Sequence, residues 1–364
     1  MQVARKQFPS LPAELASHPV RSVCCNIIAA INSVRCNITA ALTKESIMTS
    51  DFDTKTFKQQ LHESFKSEDT EEWLDIHFTR PIGLFFARIW YRMGVRPNTI
   101  TILSIILGVA AGVMFAFTDL RHNIAGIILL MLANFCDSTD GQLARLTGQK
   151  TLIGRMLDGF SGDLWFFAIY VAIACRLYNE PVPFLDGYTW GIGSVILCSV
   201  AGFLCHSPQS SLADYYRQIH LYFLLGKKGS ELDDYKSQRA IYESMTWKGN
   251  FWAKIFYFNY ANYCKSQEKR TPGFQAFYKT VKLRWPNLED MPQTLRDEFR
   301  YNSLPLMKYT NLLTFNSRAI IIYVTCLAGI PYLYPLMEIT VFMAMYVHMR
   351  KRHEKFSLEM ADKL

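Results

Sequence analysis

The 27 residues from Asp137 to Asp163, DSTDGQLARLTGQKTLIGRMLDGFSGD, set acidic side chains into sequence that otherwise reads as membrane helix. Ionisable groups at that depth are costly and need partners, so the fold has to bring these side chains together. Asp137 and Asp140 are three residues apart and Gly141 is four after Asp137. On a helix all three share one face, with Ala144 and Arg145 a turn further along. Gly154 and Asp158 repeat the arrangement, small residue and acid one turn apart, on a second helix. A third carboxylate can thus meet the first two.

Carboxylates that cannot all stay ionised side by side without compensation are the natural home of a hard divalent cation such as Mg²⁺ or Mn²⁺. A metal here points to phosphate chemistry. Gly141, Ala144 and Gly154 leave room beside the helix backbones for a bulky group, and Arg145 offers a bidentate partner for a phosphate.

The order D-x-x-D-G-x-x-A-R, eight residues, then G-x-x-x-D closely resembles the signature of the CDP-alcohol phosphotransferases, membrane enzymes that build phospholipid head groups. Asp137, Asp140, Gly141, Ala144, Arg145, Gly154 and Asp158 match it in identity and spacing. One position departs. The family places a fourth aspartate, the presumed general base, four residues after the third, where this chain has Gly162; the nearest acid is Asp163. A step of five residues turns a side chain by roughly 140° on an ideal helix, so Asp163 faces the site only if a wide turn intervenes, with Gly162 its expected place.

Composition bounds the rest. Half of the 364 residues are hydrophobic and mean hydropathy is +0.05, which suits several spans plus substantial polar segments. The net charge of +8 sits beside hydrophobic runs, which favours anionic lipid surface over nucleic acid. Nine scattered cysteines include no C-x-x-C pair and read as small buried hydrophobes; Cys136, beside Asp137, is not needed as a nucleophile.

The expectation is an all-α integral membrane protein with six transmembrane helices, an N-terminal interfacial amphipathic helix and a long cytoplasmic insert between helices 4 and 5. Residues 1–47 read as a poorly ordered extension, with Met48 as an alternative start. Residues 48–96 carry amphipathic and juxtamembrane helices, in which Arg80, Arg88, Arg92 and Arg96 alternate with Phe85, Phe86, Ile89 and Trp90. Membrane helices 1–4 fill 97–206, the last ending where His206, Ser207 and Pro208 break the apolar run. Residues 207–311 form a basic, aromatic-rich, membrane-apposed insert; no nucleic-acid module is recognisable in it. Helices 5 and 6 occupy 312–349, and 350–364 reads as a basic tail. Positive charge beside the spans puts both termini and the acidic cluster on the cytoplasmic side.

The resemblance implies a transferase that moves a phosphatidyl or phospho-alcohol group from a CDP-alcohol to a hydroxyl acceptor, lipid or polar alcohol, releasing CMP. It also implies a homodimer. Asp137, Asp140 and Asp158, with Asp163 if the helix allows, hold Mg²⁺ or Mn²⁺, and Asp163 takes the hydroxyl proton. Gly141, Ala144, Arg145 and Gly154 receive the donor. Asn98 and Thr101 either contact its diphosphate or cap their helix. Arg318 either binds a phosphate or snorkels to the interface, whereas Glu338, placed toward the opposite side, receives no chemistry. The displaced aspartate leaves a second reading open, a catalytically impaired member serving as a membrane structural or binding subunit. A transporter is disfavoured because no internal repeat is visible.

Overall fold

The computed structural model describes residues 56–64, 67, 69–149, 151–183, 185–226, 229–287 and 290–364. The expectation for residues 1–47 lies outside them. Among the described residues there is no strand, only an isolated antiparallel bridge between Pro181 and Thr189. The helices are α1 (Phe57–Ser64), α2 (Arg80–Arg92), α3 (Pro97–Phe115), α4 (Leu120–Thr147), α5 (Leu152–Leu177), α6 (Ile192–Ser199), α7 (Ser207–Leu225), α8 (Tyr235–Ser244), α9 (Phe251–Arg270), α10 (Pro272–Arg284), α11 (Gln293–Leu312), α12 (Phe315–Leu327), α13 (Leu333–Met337) and α14 (Met343–Lys363). Wide π-type turns at Asp75–Thr79, Val200–His206 and Glu338–Phe342 lead into α2, α7 and α14.

Local sequence explains the boundaries around the acidic stretch. The Asp119 carboxylate accepts from the His122 N–H and starts α4. Gly148, at φ 65°, ends it in the left-handed conformation that glycine adopts without strain. Thr151 then caps α5 by accepting from the Gly154 N–H at 3.0 Å. The interval from Gly148 to Thr151 is short enough to fold α5 back toward α4.

Among the described residues, four helices are long and apolar enough to cross a membrane: α3, α4, α5 from Met156, and the continuous Ile192–Leu225. The protein is an integral membrane protein. The expected break at His206–Pro208 is absent. Pro208 lacks an N–H and its ring would strike the carbonyl one turn earlier, but the widened turn at Val200–His206 accommodates it and the helix runs on. The polar insert therefore starts after Leu225. By contrast α12, with 13 residues, is only about 20 Å long, short of a hydrocarbon core of about 30 Å.

Glycines set how closely the spans approach. A Cβ on Gly108 would fall 2.0 Å from the Trp165 ring, and one on Gly112 would meet the backbone of Ala168 at 3.0 Å. Thus α3 lies against α5 at backbone distance, as small residues permit between helices in lipid. Gly126 of α4 receives the Phe115 ring of α3 in the same way. With α3 between them, the acidic ends of α4 and α5 converge.

Helices α10, α11 and α14 pack on α7, the C-terminal part of the Ile192–Leu225 helix, and enclose an aromatic core built on Tyr216, Phe223, Phe274, Phe277, Phe299 and Phe356. Residues 350–364 are consequently a core helix and not a tail: Met349, His353, Phe356 and Met360 are buried at one-turn spacings. The segment before α2 is fastened to this subdomain. Asp69 accepts two bonds from Arg300, at 2.7 and 2.8 Å, and faces His220 at 3.2 Å. The Arg300 guanidinium holds the Asp69 carboxyl below its usual range. Glu72 accepts from Thr314 and Asn316.

Candidate active site

Asp137 and Asp140 project from one face of α4 and Asp158 from the facing side of α5. One carboxylate oxygen from each lies within 4.8 Å of the other two. The set is all oxygen, and Asp140 Oδ2 is buried without a hydrogen-bond partner among the described residues. An unpartnered buried carboxylate oxygen beside two further carboxylates suits a hard divalent cation. From Leu120 to Asp137 is about 26 Å along the helix, which puts the cluster near the edge of the hydrocarbon, where phosphates lie.

Surrounding groups orient the acids. Ser161 Oγ is 2.8 Å from Asp137 Oδ1 and 2.7 Å from the Asp158 carbonyl oxygen. The Thr101 hydroxyl donates to the Pro97 carbonyl at 3.3 Å and stands beside Asp140. Asn98 Oδ1 would stand 2.9 Å from a Cβ on Gly154, so a larger residue there would displace the Asn98 side chain. Arg145 lies within electrostatic reach of Asp140, Asp158, Arg80 and Glu71. Arg80 is bound by Glu71 through two bonds, at 2.6 and 2.8 Å. That pair escaped the sequence reading because its members are nine residues apart across a turn. Ser161 could have been noticed, being three residues after Asp158 and hence on its face.

Two sequence expectations fail. Asp163 does not join the cluster: α5 is a regular α-helix through Gly162 without a widened turn, and the Asp163 side chain enters a separate groove against α6 and α7. Arg318 is not available to a substrate. It is 1% exposed, its Nε bonds Glu338 at 2.7 Å, its Nη2 bonds Gln209 at 2.9 Å and its Nη1 bonds the Leu313 carbonyl. Glu338, placed by sequence toward the far side, is its buried partner. His206, at the expected end of the fourth span, is buried beside them, 3.2 Å from the Tyr170 hydroxyl and 3.5 Å from Glu338.

Residues 94–213 match the family model described as CDP-alcohol phosphatidyltransferase. The chain carries a domain of that family. The match spans α3 to the first third of α7 and contains the three aspartates, Arg145, Gly154 and Ser161, while α8–α14 lie beyond it. No curated protein matches the chain. The CDP-alcohol phosphatidyltransferase domain thus coincides with the close-packed α3–α4–α5 unit and the helix that backs it, which links the chain to phospholipid-synthesis transferases.

Proposed function

We propose that the protein transfers a phosphatidyl or phospho-alcohol group from a CDP-alcohol to a hydroxyl acceptor, with release of CMP. The observation that carries this is the three-carboxylate cluster with its unpartnered Asp140 oxygen, inside a CDP-alcohol phosphatidyltransferase domain. Asp137, Asp140 and Asp158 would hold Mg²⁺ or Mn²⁺. A cation so held supplies Lewis-acid stabilisation of phosphate charge.

The residues have distinct tasks in this reading. Ser161 fixes the carboxylate of Asp137, and Thr101 lies beside that of Asp140. Gly141, Ala144 and Gly154 receive the nucleotide in this reading, with Asn98 beside Gly154. Arg145 neutralises phosphate charge, with Arg80 behind it. The acceptor oxygen forms a bond to the phosphorus carrying the alcohol, the bond from that phosphorus to the CMP oxygen breaks, and CMP leaves with the electron pair. Among the described residues the acids clustered on this face are Asp137, Asp140 and Asp158, and the hydroxyl proton departs through one of them.

Helix α12, where the bilayer thins to match its short length, and the stretch from Leu333 into α14 complete a six-crossing bundle, and basic residues beside the spans put the site and both termini in the cytoplasm. Helix α2 lies in the interface: Gly83, Leu84 and Ala87 are buried against the protein, while Phe85, Phe86 and Ile89 are exposed to lipid. The region after Leu225 favours a lipidic acceptor, and the active form is a homodimer.

The test is CMP release by the purified protein in lipid, with Mg²⁺ or Mn²⁺ and a panel of CDP-alcohols and acceptors. One donor and acceptor pair should release CMP, and Asp158→Asn should abolish it. Absence of release from every pair, together with failure to bind nucleotide, overturns the proposal.

A further inference from the structure

A groove of about 690 Å³ runs between α5 and the α6–α7 helix, from Phe160, Asp163 and Ser207 at one end to Tyr178 and Asn179 at the other. Its walls belong to two helices long and apolar enough to cross the membrane. Between the ends the lining is largely apolar, with Phe167, Val171 and Phe203 exposed along it. It is not the acidic site. Asp163 is five residues beyond Asp158 and turned from it by roughly 140° about the helix axis, with Ser161 on the catalytic side.

A second observation concerns charge. Asp163 is exposed in this groove and, among the described residues, has no hydrogen-bond or ion-pair partner. Its recorded ionisable neighbour, Tyr263, is itself an acid and offers no positive charge. Along α5 the carboxylate lies about 7.5 Å further into the membrane than Asp158, at a depth where an unpaired charge is expensive. A groove filled by acyl chain and headed by an unpaired carboxylate selects a lipid whose headgroup brings the missing cation.

We propose that the groove binds one glycerophospholipid with a primary ammonium headgroup. The ammonium pairs with Asp163, the Ser207 hydroxyl faces the polar part of the lipid, and an acyl chain lies along Phe167, Val171 and Phe203. A primary ammonium carries three N–H donors and forms charge-assisted hydrogen bonds to a carboxylate. A trimethylammonium carries none, and a serine headgroup would bring a second carboxylate beside Asp163. The bound lipid is a resident of the fold and not a substrate, because α5 separates it from the acidic cluster.

The full chain is reconstituted in nanodiscs containing equal amounts of ethanolamine-headed and choline-headed lipids of identical chains. It is then transferred to detergent, and retained lipid is identified by native mass spectrometry. Wild type should retain ethanolamine-headed lipid, Asp163→Glu should keep that preference, and Asp163→Asn should lower retention about tenfold, the weight of a charged hydrogen bond. Val171→Trp, which fills the groove, should remove lipid of both kinds. Circular dichroism and size exclusion confirm that each variant is folded; should Asp163→Asn fail this check, Val171→Trp and Asp163→Glu decide. Retention without headgroup preference, equal retention by Asp163→Asn and wild type, or cross-linking between two copies through Cys175 in the groove would each overturn the proposal.

Discussion

Ser161 Oγ bridges the two acidic helices, standing 2.8 Å from Asp137 Oδ1 on α4 and 2.7 Å from the Asp158 carbonyl oxygen on its own helix α5. Its proton, donated to the Asp137 carboxylate, fixes one ligand of the proposed metal site from the element that carries another. Substituting Ser161→Ala removes that bond and leaves both helices intact. A hydrogen bond to a charged group contributes about 1.5–3 kcal/mol. The expected outcome is CMP release lowered about tenfold or more with an unchanged circular dichroism spectrum. Activity equal to wild type would remove Ser161 from the site.

Asp140 is 3% exposed and leaves Oδ2 without a partner. Asp140→Asn keeps the shape but removes one of three neighbouring negative charges. Two opposite effects follow. Mn²⁺ binding, followed by electron paramagnetic resonance, should weaken by at least about a hundredfold, since hard cations depend on carboxylate charge. Without metal the variant should be the more stable one, melting about 2 °C higher for relief of roughly 1 kcal/mol of repulsion. A melting point lowered with and without Mn²⁺ would mean that Asp140 serves packing.

The acidic motif was legible because helical spacing is local arithmetic. Asp137 to Asp140 and Gly154 to Asp158 fix faces before any tertiary contact is known, and the structure brings Asp137, Asp140 and Asp158 together. What the sequence did not reveal depends on contacts between distant segments. Arg318 reads alone as a free cation because Glu338, twenty residues away, meets it only after the Glu338–Phe342 wide turn has placed it. Pro208 reads as a helix breaker because the compensating turn at Val200–His206 has no composition signature. The C-terminal residues 350–364 are dense in charge, yet His353 and Phe356 recur on one face and close the aromatic core. For Asp163 the arithmetic was sound and the postulated wide turn was not. The five-residue step turns it away, and α5 stays regular through Gly162.

Gly162 occupies the register at which a side chain would face the cluster, one turn after Asp158, and a Cβ built on it meets nothing within 4 Å. Gly162→Asp should therefore fold without strain and add a fourth carboxylate to the face. In the interior of α5 the loss of glycine also contributes roughly 0.5–1 kcal/mol of stability, offset by the added repulsion when metal is absent. Mn²⁺ affinity should rise about tenfold or more, measured by titration calorimetry. An affinity at or below that of wild type would show that position 162 does not reach the site.

His353 supplies a pH dependence outside the spans. The ring is fully buried, stacks on Tyr216 at 3.8 Å, leaves Nε2 without a partner, and has its pKa pushed down from 6.5 to about 3, by burial first and by His220 second. The unfolded chain takes up a proton near pH 6.5 that the folded chain refuses until far lower pH. Stability from this group is complete above that value and declines as pH falls toward 3. At pH 5 the loss relative to neutral pH is at most about 2 kcal/mol. The measurement is the slope of melting temperature between pH 7.5 and 5, which should be shallower in His353→Gln than in wild type. Equal slopes would show that His353 is not neutral in the folded protein.

Arg318 and Glu338 form an ion pair with both side chains at most 1% exposed, and Gln209 bonds to both residues. Truncating one partner strands the other charge in the protein interior, at a cost of about 3–5 kcal/mol, whereas replacing both with apolar groups avoids most of that cost. Arg318→Met alone should sharply lower the yield and melting temperature of detergent-solubilised protein. Arg318→Met with Glu338→Leu should recover much of both. If Arg318 instead served a substrate phosphate, the single variant would melt like wild type while its KM for the CDP-alcohol rose, and the double variant would bring no rescue. Melting curves and donor KM for the two variants separate these outcomes, and the saturated donors of the guanidinium favour the first.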